Sequence, residues 1–385
     1  MPHFANNLHS KLPNIGTNIF TTMSGLAQQT GAINLSQGFP DFPSSPELIE
    51  LVNKAMVKGH NQYAPMPGIM PLREQIALKM EKLYSTQYNP KSEITITPGA
   101  TYAIYTAIST VINEGDEVII FTPAYDCYAP AVELNGGKPV FVQLKTPDYS
   151  IDWNEVQKVI TRKTRMIIIN TPHNPTGSML TAEDMIKLGK ITKESDIIIL
   201  SDEVYEHILF DGYEHQSVGR FPELVDRSFV VFSFGKTYHN TGWKMGYCLA
   251  PENLMKEYRK QHQFIGFSTN TPFQYALAAY MKNDAHYMEV AATYETKRNL
   301  FNSLVKDSRF VIRPSSGTYF QLLDYGEISD EADTDFAIRL TKEKGIASIP
   351  ISVFYNKKVD NKVLRFCFAK TEETLKQAAD ILCKI

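Results

Sequence analysis

The sequence predicts an α/β protein in two parts, and three patterns predict it. Short runs that are apolar at nearly every position recur through the first two-thirds of the chain. Longer helical stretches separate them. Beyond about residue 286 the runs alternate in polarity instead. A continuously apolar run suits a strand covered on both faces, as in a parallel sheet, whereas alternation suits a strand with one exposed face. We therefore expect a large α/β domain over residues 45–285. A smaller α+β domain would comprise residues 286–385 together with an N-terminal arm, residues 1–44.

In chain order, the arm is rich in Asn, Thr, Gly and Pro and is expected to lie against both domains. Strands are expected at Ile94-Thr95-Ile96-Thr97, Glu117 to Phe121, Met166 to Ile169, Ile197 to Leu200, Phe229 to Phe232 and Tyr247 to Ala250. Thr101 to Val111 reads as a helix. Thr181-Ala182-Glu183-Asp184 resembles a capping box and starts another. Tyr287 to Val305 reads as one long helix with its apolar residues on one side. Phe310-Val311-Ile312, Gly317 to Leu323 and Val363 to Phe368 supply the alternating strands of the second part.

Composition narrows the function. A chain of 385 residues with 43% hydrophobic content can bury two ordinary cores. A net charge of −3 without a basic block argues against a nucleic-acid partner. No stretch reaches the ~20 apolar residues that cross a bilayer. Met1 to Asn7 has no apolar core, so no secretory signal is expected. Cys127, Cys248, Cys367 and Cys383 are far apart, which fits neither a disulfide framework nor a metal site and points to a reducing cytoplasm.

In an open α/β sheet, ligands bind beyond the carboxyl ends of the strands. After the first strand comes Pro98-Gly99-Ala100-Thr101, a glycine turn into a helix N-terminus where amides favour a phosphate. After the second comes Tyr125, an aromatic ring. After the third comes Asn170 to Gly177, a turn-rich segment carrying the amide of Asn174. After the fourth come Asp202 and Tyr205. After the fifth come Ser233, Gly235 and Lys236. Taken singly, Asp202 reads as a cap or surface ion pair, Tyr125 as packing and Lys236 as a solvated charge. Taken in order, they are what pyridoxal phosphate needs: an anion turn, a stacking ring, an amide, a carboxylate with a phenol, and an amine to condense with its aldehyde. Such a carboxylate keeps the pyridine nitrogen protonated, and the phenol and amide can bond the ring oxygen. On residues alone, Lys244 competes with Lys236 for the covalent role. Arg365, in an apolar strand, is explained equally well by a structural ion pair or by a carboxylate ligand.

Here the chain resembles the class I aminotransferases of the pyridoxal phosphate fold type I group, over nearly its whole length. The resemblance rests on Asn170-Thr171-Pro172-His173-Asn174-Pro175-Thr176-Gly177, Ser201-Asp202-Glu203-Val204-Tyr205, Ser233-Phe234-Gly235-Lys236-Thr237 and Leu364-Arg365-Phe366-Cys367-Phe368. Leu35 to Pro43 and Asn61 to Met66 are similar to the branch holding bacterial methionine aminotransferases and kynurenine aminotransferases. The resemblance implies a mostly parallel seven-stranded sheet in the large domain. It also implies roles. Lys236 would capture the coenzyme covalently, and Lys244, Ser233 and the Gly99-Ala100-Thr101 turn would bind its phosphate. Asp202 would pair with the ring nitrogen, Tyr205 and Asn174 would contact the ring oxygen, and Tyr125 would stack. Tyr63 would reach the phosphate of a neighbouring subunit, which requires a homodimer. Arg365 would fork the substrate α-carboxylate, helped by Asn174 and the Gly38 backbone.

The implied reaction is transamination from methionine or an aromatic amino acid to a 2-oxo acid by a ping-pong route. The expected pocket lining of Ile15, Phe20, Tyr63, Tyr125, Phe267 and Phe354 offers no second cation for an acidic side chain. Phe20 and Thr101 stand where some kynurenine-branch relatives carry Trp and Tyr, which leaves methionine ahead. The alternatives are a kynurenine aminotransferase and a cysteine-S-conjugate β-lyase working from the same residues. A regulator without catalysis would want a basic DNA-binding extension, and a dinucleotide binder would want G-x-G-x-x-G; neither pattern is present.

Overall fold

The computed structural model describes residues 2, 7–313, 315–357 and 359–385. The signal-peptide reading falls mainly on residues 1 and 3–6, which lie outside the described residues.

A seven-stranded sheet dominates, in the spatial order Ile94–Thr97, Gly246–Leu249, Ser228–Ser233, Ile198–Asp202, Thr164–Asn170, Glu117–Thr122, Lys138–Gln143. Gly246–Leu249 runs antiparallel to both neighbours. The other pairings are parallel. The continuously apolar runs have the expected cause. Val118, Ile120, Met166, Ile168, Leu200, Phe229 and Val231 face one buried layer, with Ile104 and Ile108 of helix Ala100–Val111. Ile119, Phe121, Ile167, Ile169, Ile199, Val230 and Phe232 face the other. Each such side chain contributes roughly 1.5–3 kcal/mol on burial.

The strand Lys138–Gln143 had no counterpart among the predicted ones. It is an edge strand carrying Pro139, and only Val142 in it is fully buried, so it shows no apolar run. The capping box at Thr181 forms as predicted, with both reciprocal bonds to Asp184.

The second sheet is four-stranded and antiparallel, in the order Ile349–Pro350, Val363–Cys367, Phe320–Asp324, Val311–Arg313. The predicted single helix from Tyr287 to Val305 is two, Ala285–Met288 and Val290–Val305. They break at Glu289 (φ −84°, ψ −6°), where the short first turn is tied down by the bond from Tyr287 to Asp284.

The N-terminal arm contains an unpredicted helix, Ile19–Thr30, capped by Asn18 and by left-handed Gly31. Its β-branched and glycine content gives weak propensity, and the buried pair Met23 and Ala27 anchors it instead. Beyond it, Ile33–Asn34 pairs with Ile346–Ala347, and Leu35 O accepts from Cys367 N. Ser44 bonds His239 O at 2.7 Å. The arm therefore touches the surroundings of both sheets.

Candidate active site

Six of the seven strands of the large sheet run in one direction, so their carboxyl ends open on one edge. At the first, Gly99 closes a tight turn (Gly99 N to Thr97 O, 2.7 Å) with φ +85°, a backbone state that glycine adopts without strain. Helix Ala100–Val111 follows with no side-chain cap, so its first amides remain available to an anion. Any Cβ at Gly246 would sit 3.0 Å from Ala100 N, so glycine there lets the turn rest on the neighbouring strand. Lys244 adopts φ +55° and lays its stem beside Gly99. Ser233 ends its strand on the same wall.

Asp202 ends strand Ile198–Asp202 and is 3% exposed. Oδ2 accepts the phenol proton of Tyr128 at 2.5 Å. Oδ1 receives a longer bond from Val204 N at 3.3 Å. Among the described residues no Lys, Arg or His nitrogen lies within 4.0 Å of it. Burial pushes its carboxyl up to about 6, with the Tyr128 bond opposing. A buried carboxyl on a cavity wall with no cation of its own is the partner that a protonated ring nitrogen requires. On this ground the residues fit the coenzyme. Asn170 Nδ2 donates to Asp202 O at 2.8 Å, and Asn170 Oδ1 accepts from Asn174 N at 2.8 Å. Tyr205 is buried and Tyr125 half-buried, and desolvation raises both phenols.

Lys236 lies in the short helix Phe234–Thr237 that follows strand Ser228–Ser233. Its Nζ donates to Gly38 O at 3.2 Å and to the Tyr319 oxygen at 2.7 Å. Burial lowers its amine to about 8. Arg365 is 1% exposed and sits in the strand Val363–Cys367. Nη1 donates to Asn174 Oδ1 at 2.7 Å and Nη2 to Ser36 O at 3.2 Å, while Nε has no partner among the described residues. The rings of Phe320, Phe20 and Phe354 surround the guanidinium, with centroids 3.8, 5.2 and 5.4 Å away. Burial lowers it to about 10. Of the two readings that the sequence left open for Arg365, the structural ion pair does not form among the described residues.

Gly99, Ala100, Thr101, Tyr125, Asn174, Asp202, Tyr205, Ser233, Lys236 and Lys244 all line one cavity. Ile15, Tyr125 and Phe354 line the adjoining mouth, and Phe20 packs against Phe354 at 5.9 Å. Tyr63 stands apart. It is 84% exposed and meets Phe267 edge-on, and neither lines these cavities. Sequence reasoning missed Tyr128, Asn170, Tyr319 and Phe320. Tyr128, one helical turn beyond Tyr125, was the findable one. Tyr319 and Phe320 act through pairings between distant segments.

An amine and a lone buried carboxyl on the walls of one cavity can hold an aldehyde-bearing pyridine ring between them. The fold that offers them from the carboxyl edge of a mostly parallel seven-stranded sheet is that of the fold type I pyridoxal phosphate enzymes. Residues 30–382 match the family model described as aminotransferase class I and II. The chain belongs to that family, whose members depend on pyridoxal phosphate. It is 47% identical to the methionine aminotransferase of Escherichia coli (strain K12) over 374 residues, 97% of each chain. A solved Escherichia coli structure reported with a methionine aminotransferase function superposes with a TM-score of 0.97 at 46% identity, covering 99% of this chain and 100% of that one. The kynurenine–oxoglutarate transaminase of Dictyostelium discoideum is 33% identical, over 96% of this chain and 94% of its own.

Proposed function

We propose that this chain transfers the amino group of methionine, ahead of aromatic amino acids, to a 2-oxo acid by a ping-pong route. One observation carries the preference. Beyond the phenylalanine-ringed Arg365, the cavity mouth holds Asp126, Asp333 and Asp360 and no Lys or Arg among the described lining residues. An acidic side chain there would meet carboxylates, whereas a thioether or aromatic ring meets Phe20, Phe354 and Tyr125. The methionine aminotransferase relatives support the same choice.

Pyridoxal phosphate, when bound, supplies an aldehyde that takes up amino groups and a ring that withdraws electrons. The amides of Gly99, Ala100 and Thr101, with Ser233 and Lys244, would bind its phosphate. Asp202 would hold the proton on the ring nitrogen, and that cation would return Asp202 to the carboxylate form. Tyr205 and Asn174 would donate to the ring oxygen, and Tyr125 would stack on the ring. Arg365 would grip the substrate α-carboxylate, offering the unpartnered Nε–H beside its Nη groups, with Asn174 and the Gly38 backbone assisting. Lys236 would anchor the coenzyme covalently. Displaced by substrate, its neutral amine would take the proton from the substrate α-carbon and deliver it to the coenzyme's aldehyde carbon.

In this reading residues 45–285 form the coenzyme-binding domain, and residues 1–44 with 286–385 form the smaller one. The working unit is a homodimer in which Tyr63 serves the partner's phosphate. Support comes from large apolar side chains left exposed, Phe264 at 85% and Tyr63 at 84%, the latter against the exposed ring of Phe267. A cytoplasmic setting suits four unpaired cysteines.

The test is a panel of amino donors against several oxo acids with purified holoenzyme. Methionine is expected to lead. Aspartate turnover equal to or faster than methionine would overturn the pocket argument.

A further inference from the structure

Tyr319 belongs to none of the predicted site residues, yet its side chain meets the reactive lysine. It is 0% exposed and immediately precedes the strand Phe320–Asp324 of the smaller sheet. Its phenol proton goes to Gly38 O. A phenol has one proton, so with that proton engaged the oxygen can only accept from a second neighbour. That neighbour is Lys236 Nζ, at 2.7 Å. Gly38 O also accepts from the same nitrogen, at 3.2 Å. The free amine thus faces two acceptors that are bonded to each other, and each comes from outside the sheet that carries the lysine.

Packing fixes this arrangement. The Tyr319 ring meets Tyr205 at 5.2 Å and 88°, Phe320 at 5.0 Å and 73°, and Tyr294 at 5.7 Å and 44°. A Cβ on residue 38 would lie 2.8 Å from Phe320 Cζ, so glycine is what lets that carbonyl come so close.

We propose that Tyr319 is a positioning residue for Lys236: with the Gly38 carbonyl, it takes both N–H groups of the neutral amine and so aims its single lone pair. This rests on the transaminase reading, in which Lys236 moves the substrate α-proton. A neutral primary amine has two N–H groups and one lone pair. With both N–H groups engaged by these acceptors, the lone pair is directed away from them, toward the cavity that Lys236 lines. Protonated, the amine would present a third N–H in that direction and could not act as a base. Tyr319 therefore sets the direction of proton transfer without touching substrate.

The test is Tyr319→Phe, which keeps every ring contact and removes the hydroxyl alone, both the acceptor for Lys236 and the donor to Gly38 O. In the holoenzyme, kcat for methionine is expected to fall about ten-fold from lost alignment, with KM little changed. The primary isotope effect on kcat with α-deuterated methionine is expected to rise, because proton transfer becomes slower relative to the other steps. A second readout needs no coenzyme. The pH midpoint for modification of Lys236 by an amine reagent, taken against Lys236→Ala, is expected to move lower, because an acceptor that favours the charged form is gone. Tyr294→Phe is the control. It loses the bond to His239 Nδ1 but keeps its ring beside Tyr319, and both readouts should match wild type.

An unchanged isotope effect and midpoint in Tyr319→Phe would overturn the proposal. So would equal changes in both variants, which would mean packing alone. Failure of the parent reading looks different. Wild type would then lack transamination, while the coenzyme-free titration would still report whether Tyr319 governs the amine.

Discussion

The Tyr128 phenol donates to Oδ2 of Asp202 at 2.5 Å, from the first turn of helix Tyr128–Leu134. This bond supports a carboxylate that burial otherwise disfavours. Without coenzyme, the folded protein keeps the Asp202 proton up to about pH 6, while an unfolded chain loses it near the ordinary carboxyl value of 3.8. The folded form then binds more protons between those values, so this group's contribution to stability falls as pH rises through the window and is level above it. The loss is at most about 3 kcal/mol. Asp202→Asn removes the titration. Across pH 4–7, the urea midpoint of coenzyme-free Asp202→Asn is therefore expected to gain on that of wild type as pH rises. Parallel curves would refute the assignment.

Arg365 is bonded through both Nη groups, but its Nε–H is buried with no partner among the described residues. Lysine keeps a charge at this position but loses the planar fork. For Arg365→Lys we expect kcat/KM for methionine to drop by about 2–3 kcal/mol, roughly 100-fold, from lost charge-assisted bonds. Arg365 does not line the coenzyme cavity, so coenzyme affinity should match wild type. Stopped-flow and equilibrium titration read the two separately. Loss of coenzyme binding would mean that the arginine is structural.

The large sheet was legible because its strands are apolar on both faces, so Met166 to Ile169 and Phe229 to Phe232 announce themselves without any partner. The edge strand Lys138–Gln143 was not, because half-burial and Pro139 erase that pattern. Side chains that follow a strand end, such as Lys236 and Asn174, were readable from local order alone. Tyr319 and Phe320 were not, since the role of the first depends on the smaller sheet folding back over Lys236, across 83 residues, and that of the second on the strand pairing that sets it against Arg365. The helix Ile19–Thr30 was missed for the same reason: two buried side chains and its caps stabilise it, rather than its own propensity.

Tyr63 offers the sharpest test of a shared site. It is 84% exposed, stands edge-on to Phe267, and is absent from the lining of its own chain's coenzyme cavity. If it bonds the phosphate in a neighbouring subunit, Tyr63→Ala should weaken coenzyme retention by about 1.5 kcal/mol, roughly ten-fold. Hybrids then separate a shared site from a self-contained one. An excess of Lys236→Ala subunits mixed with Tyr63→Ala subunits gives dimers in which every intact Lys236 faces an intact Tyr63 from across the interface. Retention at the Lys236-bearing sites, followed by absorbance after borohydride reduction, should return to the wild-type value. A Tyr63 that acted within its own chain would leave those sites as leaky as in the Tyr63→Ala homodimer, whatever the mixing ratio.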